Sequence, residues 1–402
     1  MTKTFVSLKS FPLKIAIASS VVAFANVSYA ENVNSLTDAV KEGKTQVNMR
    51  YRTEFVDQDG MDKEAYASTL RTRFTYSTAS WSNLKGVAEF DVVSLIGNDL
   101  YNSTTNGKVD RPVVVDPEGT DLNQFYLQYN QDNLKATWGR QRILHGNQRF
   151  VGGVGWRQNE QTYDGYRFEY VANQVTVDAS YVYNINRIVG EDHPVDDLDG
   201  SFYLTNVAYA VNKSHKVTLM NYSLDFDALA NASSQTWGIN YDGQFDKLNV
   251  HAAYARQSDW ADSNLDYTAD YKNLEVAYNF GPVTVKAGNE VLGSDNGASF
   301  TTPLATLHKF QGFADKFLGF PANGMDDKYI GANGKAKQWN WAVTYHQFTS
   351  DEGSVDYGSE WDGSLGYLVN PDLNLLLKGA YYQADDFATD TLKLWFMVSK
   401  KF

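Results

Sequence analysis

From Thr45 to Phe55 the chain reads TQVNMRYRTEF, and its two parities separate cleanly. Val47, Met49, Tyr51, Thr53 and Phe55 fall on one side; Gln46, Asn48, Arg50, Arg52 and Glu54 fall on the other. Side chains alternate across a strand but recur every 3.6 residues around a helix, so this is a strand with one apolar and one charged face. One such segment fits any half-buried sheet; its recurrence is what constrains the fold. The same alternation returns at Tyr66–Tyr76, Gly86–Val92, Asn123–Tyr129, Tyr166–Tyr170, Val175–Tyr183, Trp237–Tyr241, Leu248–Tyr254, Leu274–Phe280 and Val283–Ala287. It continues at Trp339–Tyr345, Trp361–Tyr367, Leu373–Tyr381 and Leu392–Phe402, and more weakly at Leu134–Gln141, Ser201–Tyr209, Val217–Tyr222 and Lys328–Asn333. That makes about 18 strands.

The connections alternate as well. Short turns are expected at 79–82, 130–133, 212–215, 280–282, 334–337 and 369–372, where Asn, Asp, Gly, Pro and Ser supply the turn conformations. Long polar loops are expected at about 95–120, 143–163, 185–200, 258–268 and 292–327. Tight turns at one end and long loops at the other are the plan of a transmembrane barrel, which closes its sheet so that every backbone donor is paired in lipid. The fold class expected is therefore all-β: a single closed antiparallel transmembrane β-barrel with short periplasmic turns and long extracellular loops.

The ends agree. Lys3, Lys9 and Lys14, an apolar run from Ile15 to Val27 and the small-x-small Ser28-Tyr29-Ala30 read as a cleaved secretory signal peptide over 1–30, leaving 31–402 as the barrel. Removing those three lysines, with no acid among them, takes the formal charge from −13 to −16. The expected location is the outer membrane of a Gram-negative cell, reached by Sec-type export. A final strand ending on Phe402 is like the terminal signature read by outer-membrane insertion machinery. Aromatic residues at 14%, with 26 tyrosines, suit interfacial girdles. No cysteine is present, which removes disulfide and thiol chemistry. A mean hydropathy of −0.43 is compatible with strands that expose only one face to lipid.

If the apolar parity faces lipid, the other parity lines the lumen. It places Arg50, Arg52, Arg71, Arg73, Arg167 and Lys286 there, with the acidic partners Glu54, Glu89, Asp91, Glu169 and Glu290. Two readings stay open for these charges. Cross-strand Arg–Glu pairs can tie the wall together, or some arginines can remain unpaired and give a constriction a positive field. The stretch 139–167, GRQRILHGNQRFVGGVGWRQNEQTYDGYR, adds Arg140, Arg149 and Arg157. Arg140 shares the parity of Leu134, Ala136 and Trp138, so its use in the lumen requires the ladder to break near Gly139.

GRQ at 139–141 with RFVGGVGWRQNEQTYDG at 149–165, GSDNGASFTTPLATLHKFQGFADKF at 293–317 and ADDFATDTLKLW at 384–395 resemble the alginate-export family of outer-membrane barrels. LRTRF at 70–74 and YSLDFD at 222–227 are similar to it too. The resemblance implies an 18-stranded channel with an arginine-rich constriction, in which Arg71, Arg73, Arg140, Arg149 and Arg157 are the residues to test. It implies anionic or saccharide solutes, contact with outer-membrane lipid and lipopolysaccharide, and a periplasmic export partner. A general uptake porin and a loop-plugged structural barrel are the competing functions, and the apolar 293–317 loop would be the constriction or the plug. An enzyme is not expected: the six histidines are scattered and no nucleophile, metal or nucleotide motif stands in a fitting context. No cofactor, metal or catalytic residue is expected, and an exported barrel leaves no role for nucleic acid.

Overall fold

The computed structural model describes residues 32–402; the leader expected at 1–30 lies outside them. A six-residue helix, α1 (Leu36–Lys41), precedes β1 (Lys44–Gln58), β2 (Ala65–Ser77), β3 (Leu84–Leu95), β4 (Gly119–Gln131), β5 (Leu134–Gln141) and β6 (Thr162–Ala172). Next come β7 (Val175–Asn186), β8 (Asp197–Asn212), β9 (His215–Phe226), β10 (Ser234–Phe245), β11 (Leu248–Asp259), β12 (Thr268–Asn279) and β13 (Val283–Leu292). A two-residue hairpin of β14 (Ser294–Asp295) and β15 (Ala298–Ser299) stands apart. The wall resumes with β16 (Met325–Ala336), β17 (Trp339–Thr349), β18 (Asp356–Asn370), β19 (Leu373–Ala384) and β20 (Thr391–Lys401). Every wall strand is antiparallel to its neighbours, β13 pairs with β16, and β20 returns to β1, so 18 strands close into one barrel. Each alternating segment of the sequence falls on one wall strand.

Closure is fastened at the end that carries the two- and three-residue turns. Phe402 and Val47 exchange backbone hydrogen bonds. The helix α1 is capped by the Ser35 hydroxyl, which accepts from the Asp38 N–H at 3.1 Å, and the Tyr76 hydroxyl donates to the Val40 carbonyl. The wall is polar within and apolar without: Phe125 is 62% exposed while Arg52, on the opposite face, is 1% exposed. That inversion of the soluble pattern is what lipid outside and water inside demand.

Two of the long loops, 142–161 and 293–324, fold into the barrel. Ile143, Val151, Phe300, Leu304 and Phe317 are buried against Tyr163, Tyr271, Phe348 and Tyr382 of the wall. Large apolar side chains of this kind contribute about 1.5–3 kcal/mol each when withdrawn from water. The loops also touch one another through a bridge between Val151 and Leu304, where the Gly152 N–H donates to the Leu304 carbonyl at 2.8 Å. A Cβ at Gly152 would run into the Thr306 hydroxyl and backbone nitrogen, so glycine is needed there for close approach. The left-handed residue of the bend is Val154, with φ of 48°.

The break expected near Gly139 is absent. β5 keeps its register with both β4 and β6 through that residue. Gly139 instead takes a φ of 116°, where a Cβ would strike the Phe125 carbonyl, so the strand twists without slipping. The irregularities sit in the flanking ladders, at Glu89/Phe90 and at Asp164/Gly165. Arg140 therefore keeps the outward parity of Trp138, opposite Phe125, and does not join Arg149 and Arg157 in the lumen. It has no need to turn inward, because Asp164 meets it with both carboxylate oxygens at 2.9 and 3.0 Å.

Candidate functional site

On the inner face, β1 carries Arg50, Arg52 and Glu54 two residues apart. β2 sets Arg71 opposite Arg50 and Arg73 opposite Asn48, and β3 sets Asp91 opposite Arg73 and Glu89 opposite Thr75. Loop 142–161 lies against this ladder and is fastened to it by the same side chains. Arg50 donates to the Gln158 side chain at 3.0 Å and to the Gly155 and Arg157 carbonyls. Arg52 donates to Glu54 at 2.7 Å and to the Trp156 carbonyl. Arg73 takes Asp91 and, at 2.7 Å, Glu160 of the loop, while Arg142 of the loop pairs with both Glu89 and Glu160.

The second infolded loop closes the lattice. Arg157 bridges Glu54 at 2.9 Å and Asp315 at 3.1 Å, and Lys393 of β20 also reaches Asp315 at 3.1 Å. Asp116, from the 96–118 loop, accepts from the Gln158 N–H at 2.8 Å. Lys378 Nζ donates to His308 Nε2 at 2.6 Å, and His308 Nδ1–H donates onward to Asp315 at 2.7 Å. The Trp156 ring lies flat on His308 at 4.4 Å, with the Arg52 guanidinium 4.3 Å and the Lys378 ammonium 4.2 Å from its centre. Burial pushes the His308 imidazole down to about 3, so it stays neutral and relays a hydrogen bond rather than a charge. Burial alone would raise Glu160, but the Arg73 and Arg142 guanidiniums outweigh it and hold the carboxyl at about 2.

Other lumenal arginines and Lys286 are also paired. Arg149 is buried on Glu290 at 2.5 Å and on the Thr302 hydroxyl, with Phe310 4.8 Å beneath it. Arg167 grips Asp178 at 2.8 and 2.5 Å and lies 3.4 Å from Glu169; Lys286 meets Glu275 at 3.1 Å. Most of the arginines therefore bind wall and loops together, as the first of the two readings has it.

Arg71 is the exception, and Arg50 opposite it is held by the loop's amide and carbonyl oxygens without a carboxylate. They face each other across one rung, and two buried guanidiniums there repel by on the order of a few kcal/mol. Neither has a carboxylate at hydrogen-bonding distance. Arg71 donates to Asn48 at 3.0 Å and stands 3.9 Å from Glu160, while its Nε and Nη1 are buried with no hydrogen-bond partner. Two cavities flank the infolded loops. One of about 420 Å³ adjoins the arginine ladder at Asn48, Arg73, Lys85, Arg142 and Lys401. One of about 520 Å³ lies along β9–β13 and β16–β18, with Lys286, Glu275, Asp242 and His251 among its walls.

Of the expected pore residues, the structure gathers Arg50, Arg52, Arg71, Arg73, Arg157, Glu54, Glu89 and Asp91 into one network; Arg149 of loop 142–161 with Glu290 of β13, and Lys286 of β13, lie elsewhere in the lumen. Asp116, Glu160, Asp315 and Trp156 belong to the network but were not anticipated, because loops carry no period that assigns a side chain to a face.

The family model described as alginate export matches residues 34–305. That span includes the 149–165 block and the start of the 293–317 block, and it stops short of 384–395. No curated protein matches the sequence. Among solved structures of similar fold, Pseudomonas aeruginosa OpdO has a TM-score of 0.69 at 13% identity, covering 91% of this chain and 98% of its own. Acinetobacter baumannii OccAB4 gives 0.71 at 11%, over 90% and 98%. Pseudomonas aeruginosa OpdK, solved with vanillate, gives 0.67 at 15%, over 89% and 98%.

Proposed function

The chain belongs to the alginate-export family, a family of outer-membrane barrels, and from that premise we propose that it is a passive channel for anionic solutes or uronate-type oligosaccharides. What carries the reading is the Arg50–Arg71 rung. A guanidinium with two idle, buried nitrogens gains most from a carboxylate that arrives with its own charge, and its planar fork suits two-point recognition. Arg50 of that rung is engaged by loop 142–161, and the neighbouring ion pairs leave two Arg71 nitrogens unengaged. A transported anion must also leave, and the nearby Glu160 carboxylate favours release by competing for the same guanidinium. The experiment is current block by glucuronate oligomers in a planar bilayer. Block that deepens with oligomer length in the natural protein, and weakens about tenfold in Arg71→Gln, supports the reading; equal block in both refutes it.

A second reading has its own support: with loops 142–161 and 293–324 packed into the lumen, the barrel could serve as a plugged structural protein. Absence of any conductance in the natural protein, restored when 300–318 is deleted, would favour that alternative.

A further inference from the structure

We propose that the outward face of β11, β12 and β16, near the long-loop rim, is a docking strip for phosphate groups of outer-leaflet glycolipid. The strip is on the lipid side of the wall and is independent of any solute. Cross-strand pairing sets Arg256 between Trp237 and Asp270, Lys272 opposite Tyr254, and Lys328 between Asn289 and Gln347. Trp237, Leu274 and Ile330, which share the parity of these cations, are among the exposed apolar residues of the wall. All three cations lie within five residues of the long-loop ends of their strands, at Asp259, Thr268 and Met325. Adjacent strands run about 4.8 Å apart, so the strip extends roughly 15 Å across β11, β12, β13 and β16.

Charges on the lipid face are costly unless hydrated or met by an anion, and at this height the anion that the membrane adds to the wall's own carboxylates is a phosphate. Arg256 and Lys328 each carry an oriented carboxylate, Asp270 at 2.9 Å and Asp326 at 2.7 Å, yet their side chains stay 60% and 63% exposed. The Lys272 side chain, between them, makes no salt bridge or hydrogen bond among the described residues, although its charge is felt by Asp270. Arg140, the outward cation of β5, differs: Asp164 closes it from both sides and it is 25% exposed. Trp237 and Tyr254 supply the interfacial rings beside the cations. A second copy of the chain in a two-fold contact would bring the same cations onto themselves, whereas a phosphate monoester brings the opposite charge.

The test uses the full mature protein in mild detergent, stripped of lipid and titrated with bis-phosphorylated lipid A, dephosphorylated lipid A or phosphatidylethanolamine, with retained lipid read by native mass spectrometry. The phosphorylated glycolipid should be held at least about tenfold more tightly than the other two. Lys272→Gln, which leaves both ion pairs intact, should lower that retention about fivefold, and Arg256→Gln/Lys272→Gln/Lys328→Gln about a hundredfold. Lys213→Gln, in a short turn at the far end, should leave it unchanged. Equal retention of the phosphorylated and dephosphorylated glycolipids, or unchanged retention in Lys272→Gln, overturns the proposal. So does conversion of an oligomer to monomer by the triple substitution, which would make the strip a subunit contact.

Discussion

Glu160 is the loop carboxylate on which Arg73 and Arg142 converge, as they do on Glu89 of β3, and Arg71 lies just beyond contact. Neutralising it leaves Arg73 on Asp91 and Arg142 on Glu89 but removes the charge both share in the loop, which costs about 1–3 kcal/mol. Glu160→Gln is therefore expected to lower urea stability in micelles by about that amount, followed by tryptophan fluorescence. The same carboxyl sets a pH dependence. Its value in the folded protein, about 2, is below the ordinary 4.5, so its contribution is complete above pH 4.5 and drains away as pH falls toward 2. At this scale the Arg73–Asp91 pair was legible in the sequence, because strand parity puts both on the inner face. Glu160, Asp116 and Asp315 were not, since their positions depend on how far each loop folds inward.

Loop 293–324 was legible as an element that would not remain in solvent, because Phe300, Leu304, Phe313 and Phe317 leave it too apolar. Its lock was not legible: His308 links Lys378 to Asp315 only after the loop and the distant strand β19 have been brought together. His308 is held at about 3, below the ordinary 6.5, so the unfolded chain binds the proton first. Stability from this contact is complete above pH 6.5 and is lost between pH 6.5 and 3. The thermal midpoint in detergent should fall across that window in the natural protein, and His308→Gln should flatten the slope; an unchanged slope would remove His308 from the lock. Gly139 shows the opposite limit. Parity alone called for a broken ladder to rescue Arg140, but a positive φ at glycine absorbs the twist and Asp164 supplies the counter-charge, so the register survives.

Across the whole molecule, the period-two pattern sufficed for the 18-strand closure, because one apolar face per strand has no other solution in lipid. The charge distribution needed the structure. The acidic surplus lies in part on the 187–196 loop and the adjoining start of β8, with Glu191, Asp192, Asp196, Asp197 and Asp199, while the lumen near β1 and β2 concentrates guanidiniums. If Arg50 and Arg71 set the field of the lumen, the zero-current potential in a tenfold potassium chloride gradient decides the matter. The account predicts an anion-selective potential in the natural protein that moves toward neutrality in Arg50→Gln/Arg71→Gln. A cation-selective potential, or one that is the same in both proteins, would contradict it.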